Sequence, residues 1–183
     1  MVSLNKIYTK TGDGGKTRLG DNSQVEKFDP RVEAYGEVDE LNALLGIARC
    51  HIGERDDLSN LIGSIQNDLF DLGADLCWPI GEGDSAEGRL SITPEQVGSI
   101  EEAIDRYNAR LESLRSFVLP GGSLLSAHLH LARTVCRRAE RKVWALAQGA
   151  DLNDQVAIYL NRLSDLLFVL ARCANDEIGR AHV

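Results

Sequence analysis

Apolar side chains return every third or fourth residue through five separate stretches of this chain, and that period commits it to helices. The first stretch runs from Pro30 to Ile52, with Val32, Tyr35, Val38, Leu41, Leu45 and Ala48 on one face. The second runs from Asp56 to Trp78 and is striped by Leu58, Leu61, Ile62, Ile65, Leu69, Leu72 and Leu76. The third has a marked start: Thr93 as N-cap, Pro94 at the first helical position, and Gln96 placed to close a capping box. Val97, Ile100, Ile104, Tyr107 and Leu111 follow as its stripe. Ser123 predicts the cap of a fourth helix that ends near Gly149, a suitable C′ residue. Asn153 predicts the cap of a fifth, running to about Gly179 with Leu160, Leu163, Leu167 and Leu170 facing the core. Long amphipathic helices joined mostly by short connections pack as a bundle. The expected fold is all-α: one domain over residues 1–183, with an extended N-terminal arm (1–28) and a five-helix antiparallel bundle (29–183). Such a bundle can bury its stripes unaided, so the pattern does not force oligomerisation.

The balance of residues narrows the partners. The formal net charge is −8, which argues against non-specific binding to nucleic acid or to an anionic membrane. An anionic ligand must therefore meet a local basic cluster. Cys50, Cys77, Cys136 and Cys173 lie far apart and form no CxxC pair, so they read as reduced thiols and not as a zinc site or disulfide frame. No apolar run reaches membrane-spanning length, and the first residues carry neither a signal-type apolar core nor an Arg-rich transit pattern. The expected location is the cytoplasm.

The arm holds the stretch Thr9 to Asp21, "TKTGDGGKTRLGD", which looks built for a phosphate. It is not a Walker A loop: that motif needs a glycine five positions before Gly15, where this chain has Lys10. No buried strand precedes it and no helical period follows it. The physics of a phosphate cradle survives without that fold. Glycines let backbone N–H groups converge on an anion, while Lys and Thr side chains add charge and hydrogen bonds. A mobile Gly-rich chain end is the competing reading.

The densest chemistry is in the fourth helix, "LARTVCRRAERKVW". Arg133, Arg137 and Arg141 stack at i, i+4 and i+8, with Arg138 beside them and Glu140 three residues from Arg137. Leu129, Ala132, Cys136, Ala139 and Val143 form the adjoining stripe, so the arginines stand at the margin of the core. Guanidinium forks suit phosphate oxygens; a solvated basic face paired with Glu140 is the plainer alternative. In the fifth helix Asn161 adjoins the stripe, and an amide there needs partners. It serves either a structural network or a base or ribose contact. Asp39 on the first helix is a carboxylate beside an apolar stripe and wants an arginine partner, within the chain or across a subunit boundary. His128 and His130 are two apart and point to different sides of a helix, so they are poor joint metal ligands. No Glu-x-x-His, Gly-x-Ser-x-Gly or Cys–His pair suggests another chemistry. What remains is an anion site without a general base, which suits a substrate that supplies its own nucleophile. "FVLPGG", Phe117 to Gly122, reads from its residues alone as a tight interhelical turn with Phe117 in the core. A hydrophobic pocket wall is the alternative.

In this order, "IYTKTGDGGKTRLGD", "RVEAYGEVDELNALLG", "FVLPGG", "ARTVCRRAER" and "YLNRLSDLLFVLAR" resemble the PduO-type ATP:cob(I)alamin adenosyltransferases over nearly the whole chain. The resemblance implies a homotrimer of five-helix bundles with active sites between neighbouring subunits. It implies transfer of the 5′-deoxyadenosyl group of ATP to the cobalt of cob(I)alamin, giving adenosylcobalamin and inorganic triphosphate. Mg²⁺ would accompany ATP with no protein ligand of its own. A reductase for cob(II)alamin and an adenosylcobalamin-dependent acceptor enzyme are the implied partners. By motif, Thr9, Lys10, Thr11, Gly12, Asp13, Gly14, Gly15 and Lys16 would wrap the triphosphate, with Lys27 following. Arg137, Glu140 and Asn161 match ATP contacts, and the anion cluster takes in Arg138 and Arg141. Arg133 matches an arginine near the reacting centre, with Asp39 as its salt-bridge partner. Phe117 matches a phenylalanine that displaces the lower axial ligand of cobalamin. Against the family pattern, Lys16 adds a charge, Phe28 stands where an acid is usual, and the tail after Arg172 is short. An ATP-binding regulatory bundle and a phosphoryl transferase remain as other readings of the same contacts. The first predicts no corrinoid turnover and the second predicts ADP.

Overall fold

Five helices carry nearly all of the structure, a computed structural model that describes residues 7–81 and 88–176. They are α1 (Pro30–Arg49), α2 (Asp56–Cys77), α3 (Pro94–Asn108), α4 (Leu124–Leu146) and α5 (Asp154–Asp176). The capping signals act as read. Thr93 and Gln96 form both halves of a capping box at α3. The Ser123 hydroxyl accepts from the Ser126 amide at 3.1 Å at the start of α4, and Asn153 Oδ1 accepts from the Gln155 amide at 3.0 Å before α5. Asp29 caps α1 by accepting from the Arg31 amide at 2.8 Å, with Pro30 opening the helix.

One helix end differs from the cap signal read in the sequence. Helix α4 stops at Leu146 with Ala147 as a right-handed C-cap, so Gly149 is not used as a left-handed terminator. The expected end of α5 at Gly179 lies outside the described residues. The α1 face also turns slightly. Val32 and Tyr35 are half-buried, and Ala34, Val38, Leu41, Leu45 and Ala48 carry the core, flanked by buried Arg31 and Asn42. Leu61 on α2 is half-buried as well.

Successive helices alternate in direction. α1 packs on α2 and α4, while α5 packs on α4, α3 and α2. α3 and α5 lie side by side and parallel: Asn153 Nδ2 donates to the Ile92 carbonyl at one end, and Cys173 Sγ donates to the Tyr107 carbonyl towards the other. Helix α5 buries far more than a single stripe. Val156, Tyr159, Leu160, Leu163, Leu166, Leu167, Val169 and Leu170 are all in the core, which is the pattern of a central helix surrounded by others.

The arm is not wholly extended. Lys16–Arg18 (β1) and Gln24–Glu26 (β2) form an antiparallel hairpin in register Lys16 to Glu26. Its turn is built by Asp21, whose Oδ1 accepts from the Ser23 amide at 2.9 Å and hydroxyl at 2.6 Å. Those bonds hold the Asp21 carboxyl below its ordinary pKa. The hairpin is anchored by buried Leu19 and by the Gly20 amide, which donates to the Cys77 carbonyl at 2.9 Å. A Cβ on Gly20 would sit 2.8 Å from the Trp78 ring, so only glycine allows this approach.

Buried Tyr159 donates its hydroxyl to Asp68 Oδ2 at 2.9 Å across α5 and α2. Burial first, then the Asp68 charge, raises the Tyr159 pKa well above 10.0. The folded state thus holds this proton more tightly than the unfolded chain, so the contribution is full below pH about 10 and is lost as pH rises past it. Tyr159→Phe is expected to cost about 1–2 kcal/mol at neutral pH and to flatten the alkaline fall in stability. Denaturant melts at pH 7 and above pH 10 measure both.

Candidate active site

The glycine stretch folds as two consecutive turns running into β1. The Asp13 amide donates to the Lys10 carbonyl at 3.4 Å, and the Gly15 amide donates to the Gly12 carbonyl at 3.2 Å. Gly15 has φ +80°, a conformation that glycine adopts freely. The Thr9 and Thr11 hydroxyls lie 2.8 Å apart. Lys27 closes the loop: its amide donates to the Gly15 carbonyl at 2.8 Å. Its side chain lies against Gly12, where a Cβ would come 3.2 Å from Nζ. Lys16 in β1 sits 3.5 Å from Glu26 in β2. Thr9, Lys10, Thr11, Asp13, Gly14, Gly15, Lys16 and Lys27 are exposed and Gly12 is half-buried. The result is a solvent-facing loop with hydroxyls and three ammonium groups, those of Lys10, Lys16 and Lys27.

A second cluster lies where α4 crosses α5. Asn161 Nδ2 donates to Glu140 Oε1 at 3.2 Å. Arg137, one turn before Glu140, is exposed, and its guanidinium bonds to none of the described residues. Arg141 donates to the Arg137 carbonyl at 3.0 Å. Arg138 is used otherwise: it pairs with Glu37 at 2.6 Å and with Glu40, both on α1. Beneath the cluster Cys136 is fully buried and donates to the Leu160 carbonyl at 3.2 Å. Burial, then the Glu140 charge, pushes its thiol pKa far up. A thiol held protonated is no nucleophile. The cluster can therefore hold a cofactor-like ligand by donors, an acceptor and a cation, without attacking it.

Asp39, Arg133 and Phe117 do not meet within the chain. Asp39 is exposed on α1, and among the described residues no ion pair joins it to Arg133. The Arg133 guanidinium carbon lies 6.0 Å from the centre of the Phe168 ring. Its Nε is buried without a hydrogen-bond partner among those residues. His130 meets the same ring edge-on at 6.1 Å. Phe117 is 99% exposed, which overturns its placement in the core. The turn is held at the Gly121 carbonyl and the Ser123 amide, and Phe117 precedes those ties and faces solvent. Leu114, Leu119 and Leu124 are exposed around it. Nor do residues 9–16 share a hydrogen bond with α4 or α5. His128 stacks on His51 with ring centres 5.0 Å apart, and the described residues contain no group of three metal-ligating side chains.

Three sets of contacts escape a reading of one segment at a time. These are Glu37 and Glu40 on Arg138, Arg162 and Glu101 beside Asn161, and Phe168 beneath Arg133. Arg138 with Glu37 and Glu40, Arg162 with Glu101, and Arg133 with Phe168 are cross-helix pairs that no spacing within one helix announces; only Arg162 on Asn161 is a contact between neighbours in sequence.

The family described as cobalamin adenosyltransferase matches residues 7–174 of the chain. A corrinoid adenosyltransferase of Mycobacterium tuberculosis (strain ATCC 25618 / H37Rv) is 50% identical over 179 residues, which is 96% of this chain and 92% of that protein. The corrinoid adenosyltransferase PduO of Salmonella typhimurium is 42% identical over 177 residues, 97% of this chain but 52% of that longer protein. Among solved structures, a variant PduO-type ATP:corrinoid adenosyltransferase from Lactobacillus reuteri, complexed with cobalamin and ATP, superposes with a TM-score of 0.90. It is 42% identical, with 97% of this chain and 95% of that chain covered.

Proposed function

The chain belongs to the cobalamin adenosyltransferase family, and from that premise we propose how its residues divide the reaction. It is a corrinoid adenosyltransferase, an enzyme that moves the adenosyl group of ATP onto cobalamin. In the proposed mechanism cob(I)alamin is the nucleophile. Its cobalt attacks C5′ of ATP, a Co–C bond forms, the C5′–O bond breaks, and triphosphate leaves with the electron pair. The protein then has two tasks: to hold C5′ in line with cobalt and to neutralise the leaving group.

The observation that carries this reading is the Glu140–Asn161 pair one turn from an unengaged Arg137, above a thiol that stays protonated. It offers polar contacts for a nucleoside and a cation for its phosphates, but no base. We assign the triphosphate to the loop Thr9–Lys16, to Lys27 and to Arg137, with Arg141 adding charge. Arg138 is left out because its guanidinium is committed to Glu37 and Glu40. Mg²⁺ would enter on ATP. The loop offers hydroxyls and Asp13 and no cluster of three carboxylates, thiols or imidazoles among the described residues. That set suits an ion that keeps phosphate and water ligands, where it would spread the charge of the departing triphosphate.

Asp39, Arg133 and Phe117 we assign to the corrinoid side. Their separation within one chain supports a homotrimer in which Asp39 reaches Arg133 across a subunit boundary. Four free cysteines favour a cytoplasmic setting, and no helix among the described residues is long and apolar enough to cross a membrane.

The test is anaerobic: Mg-ATP and chemically reduced cob(I)alamin are mixed with the protein while the visible spectrum and triphosphate are followed. Light-sensitive adenosylcobalamin with equimolar triphosphate is the expected result. ADP as product would indicate phosphoryl transfer, and ATP binding without spectral change would leave a regulatory bundle. Phe117→Ala, at a fully exposed site, should leave the melting temperature within about 1 °C. It should sharply slow turnover started from cob(II)alamin while ATP affinity is kept; equal losses in both would remove the role.

A further inference from the structure

Asn161 does not stand alone beside Glu140. Arg162 Nη1 donates to Asn161 Oδ1 at 2.9 Å, and the same guanidinium donates from Nε to Glu101 Oε1 on α3 at 2.7 Å. A polar chain thus runs Glu101–Arg162–Asn161–Glu140 across α3, α5 and α4. Its ends fix its middle. A guanidinium has only donors and a carboxylate only acceptors. The Asn161 amide can satisfy both in one orientation alone, with Oδ1 towards Arg162 and Nδ2 towards Glu140. Turned over, it would set oxygen against carboxylate and N–H against N–H. One N–H and one lone pair of the amide are then left, aimed before any ligand arrives.

We propose that Arg162, held by Glu101, is a positioning residue that fixes the Asn161 amide for nucleotide binding. The proposal rests on the reading of Asn161 as an ATP contact. An amide so held loses no freedom when the ligand binds, which is how preorganisation raises affinity. Without Arg162 the amide samples both orientations and presents the wrong face part of the time. Arg162 and Glu101 are each about half exposed, and an exposed pair adds little to stability. Their loss should therefore show in binding and not in folding.

The experiment is a double-mutant cycle on Mg-ATP affinity and steady-state kinetics, using Arg162→Met, Asn161→Ala and the pair. Arg162→Met alone should raise the Kd for Mg-ATP about tenfold, the worth of one hydrogen bond to a charged group. KM should rise with it while kcat holds within about twofold. In the Asn161→Ala background the same change should have almost no effect, because Arg162 acts through that amide. A full, additive loss in the double variant would overturn the proposal, as would unchanged affinity in Arg162→Met. If Arg162→Met does not fold, Glu101→Gln decides. It keeps both side chains at the site and should raise Kd two- to fivefold; no change would count against the relay. If Asn161→Ala itself leaves ATP affinity intact, the nucleotide reading of Asn161 falls and the relay with it. Loss in Asn161→Ala without loss in Arg162→Met removes only the relay.

Discussion

Arg137→Ala is expected to lower kcat/KM for ATP by about 10²–10³-fold, the size lost when a charge-assisted donor is removed from a developing negative charge. The structure separates this from a folding defect. Arg137 is exposed and bonds through its side chain to none of the described residues. Only its backbone carbonyl is in use, accepting from Arg141. Alanine keeps that carbonyl and favours helix, so the melting temperature should stay within about 2 °C. Most of the kinetic loss should appear in kcat, because the charge on triphosphate grows as the C5′–O bond breaks. Arg137→Lys should recover part of it, since an ammonium restores charge but not the fork. Steady-state kinetics with reduced cobalamin beside a thermal melt give both numbers. An alanine variant within threefold of the parent would remove Arg137 from the leaving-group site, and an unfolded one would return it to structure.

What could be read from the sequence was what a single segment encodes. Thr93, Gln96, Ser123, Asn153 and the apolar period each act within a few residues, and the helices start where those signals place them. The hairpin Lys16–Glu26 was hidden because its strands have three residues each. Its turn chemistry at Asp21 and Ser23 was present but attached to no apolar alternation. The strongest period in α5 marks one stripe, although Tyr159, Leu166 and Val169 widen its buried surface to most of its circumference. That width marks a central helix, and the sequence had it. Hydrophobicity alone suggests burial for Phe117, but it stands on the stretch between α3 and α4, outside either helix's apolar stripe, and is exposed. Arg138 takes its partners from α1, Asn161 takes Glu140 from α4, and Arg162 beside it is held by Glu101 of α3; these choices depend on which helices become neighbours. The residues proposed for the site can be named from single segments, while the contacts between helices that wire them cannot.

Gly122→Ala should be the most damaging small change in the bundle, with an expected cost of about 3–5 kcal/mol from backbone strain, overlap and lost hydrogen bonds together. Gly122 has φ +107°, which alanine adopts only with strain. A Cβ there would lie 2.1 Å from Asn175 Oδ1 and 2.5 Å from its Cγ. Asn175 is buried and cannot simply step aside: its Oδ1 accepts from the Ser123 amide at 3.0 Å and its Nδ2 donates to the Gly121 carbonyl at 2.8 Å. Those two bonds tie the end of α5 to the start of α4, and Ser123 is the cap of α4. For a chain of this length the cost corresponds to a fall of roughly 10–15 °C in melting temperature. Asn175→Ala loses the bonds without the clash and should fall by less. Combining it with Gly122→Ala relieves the overlap, so the double variant should be more stable than the sum of the two losses. Strict additivity, or a Gly122→Ala melt within about 3 °C of the parent, would show that the turn can re-form around a side chain. The function carries the same signature. Phe117 hangs from the loop that this turn closes, so Gly122→Ala should lose stability and cob(II)alamin-started turnover together. Phe117→Ala should lose the second alone. If Gly122→Ala keeps its turnover below its melting point, the loop does not need this anchor to place Phe117.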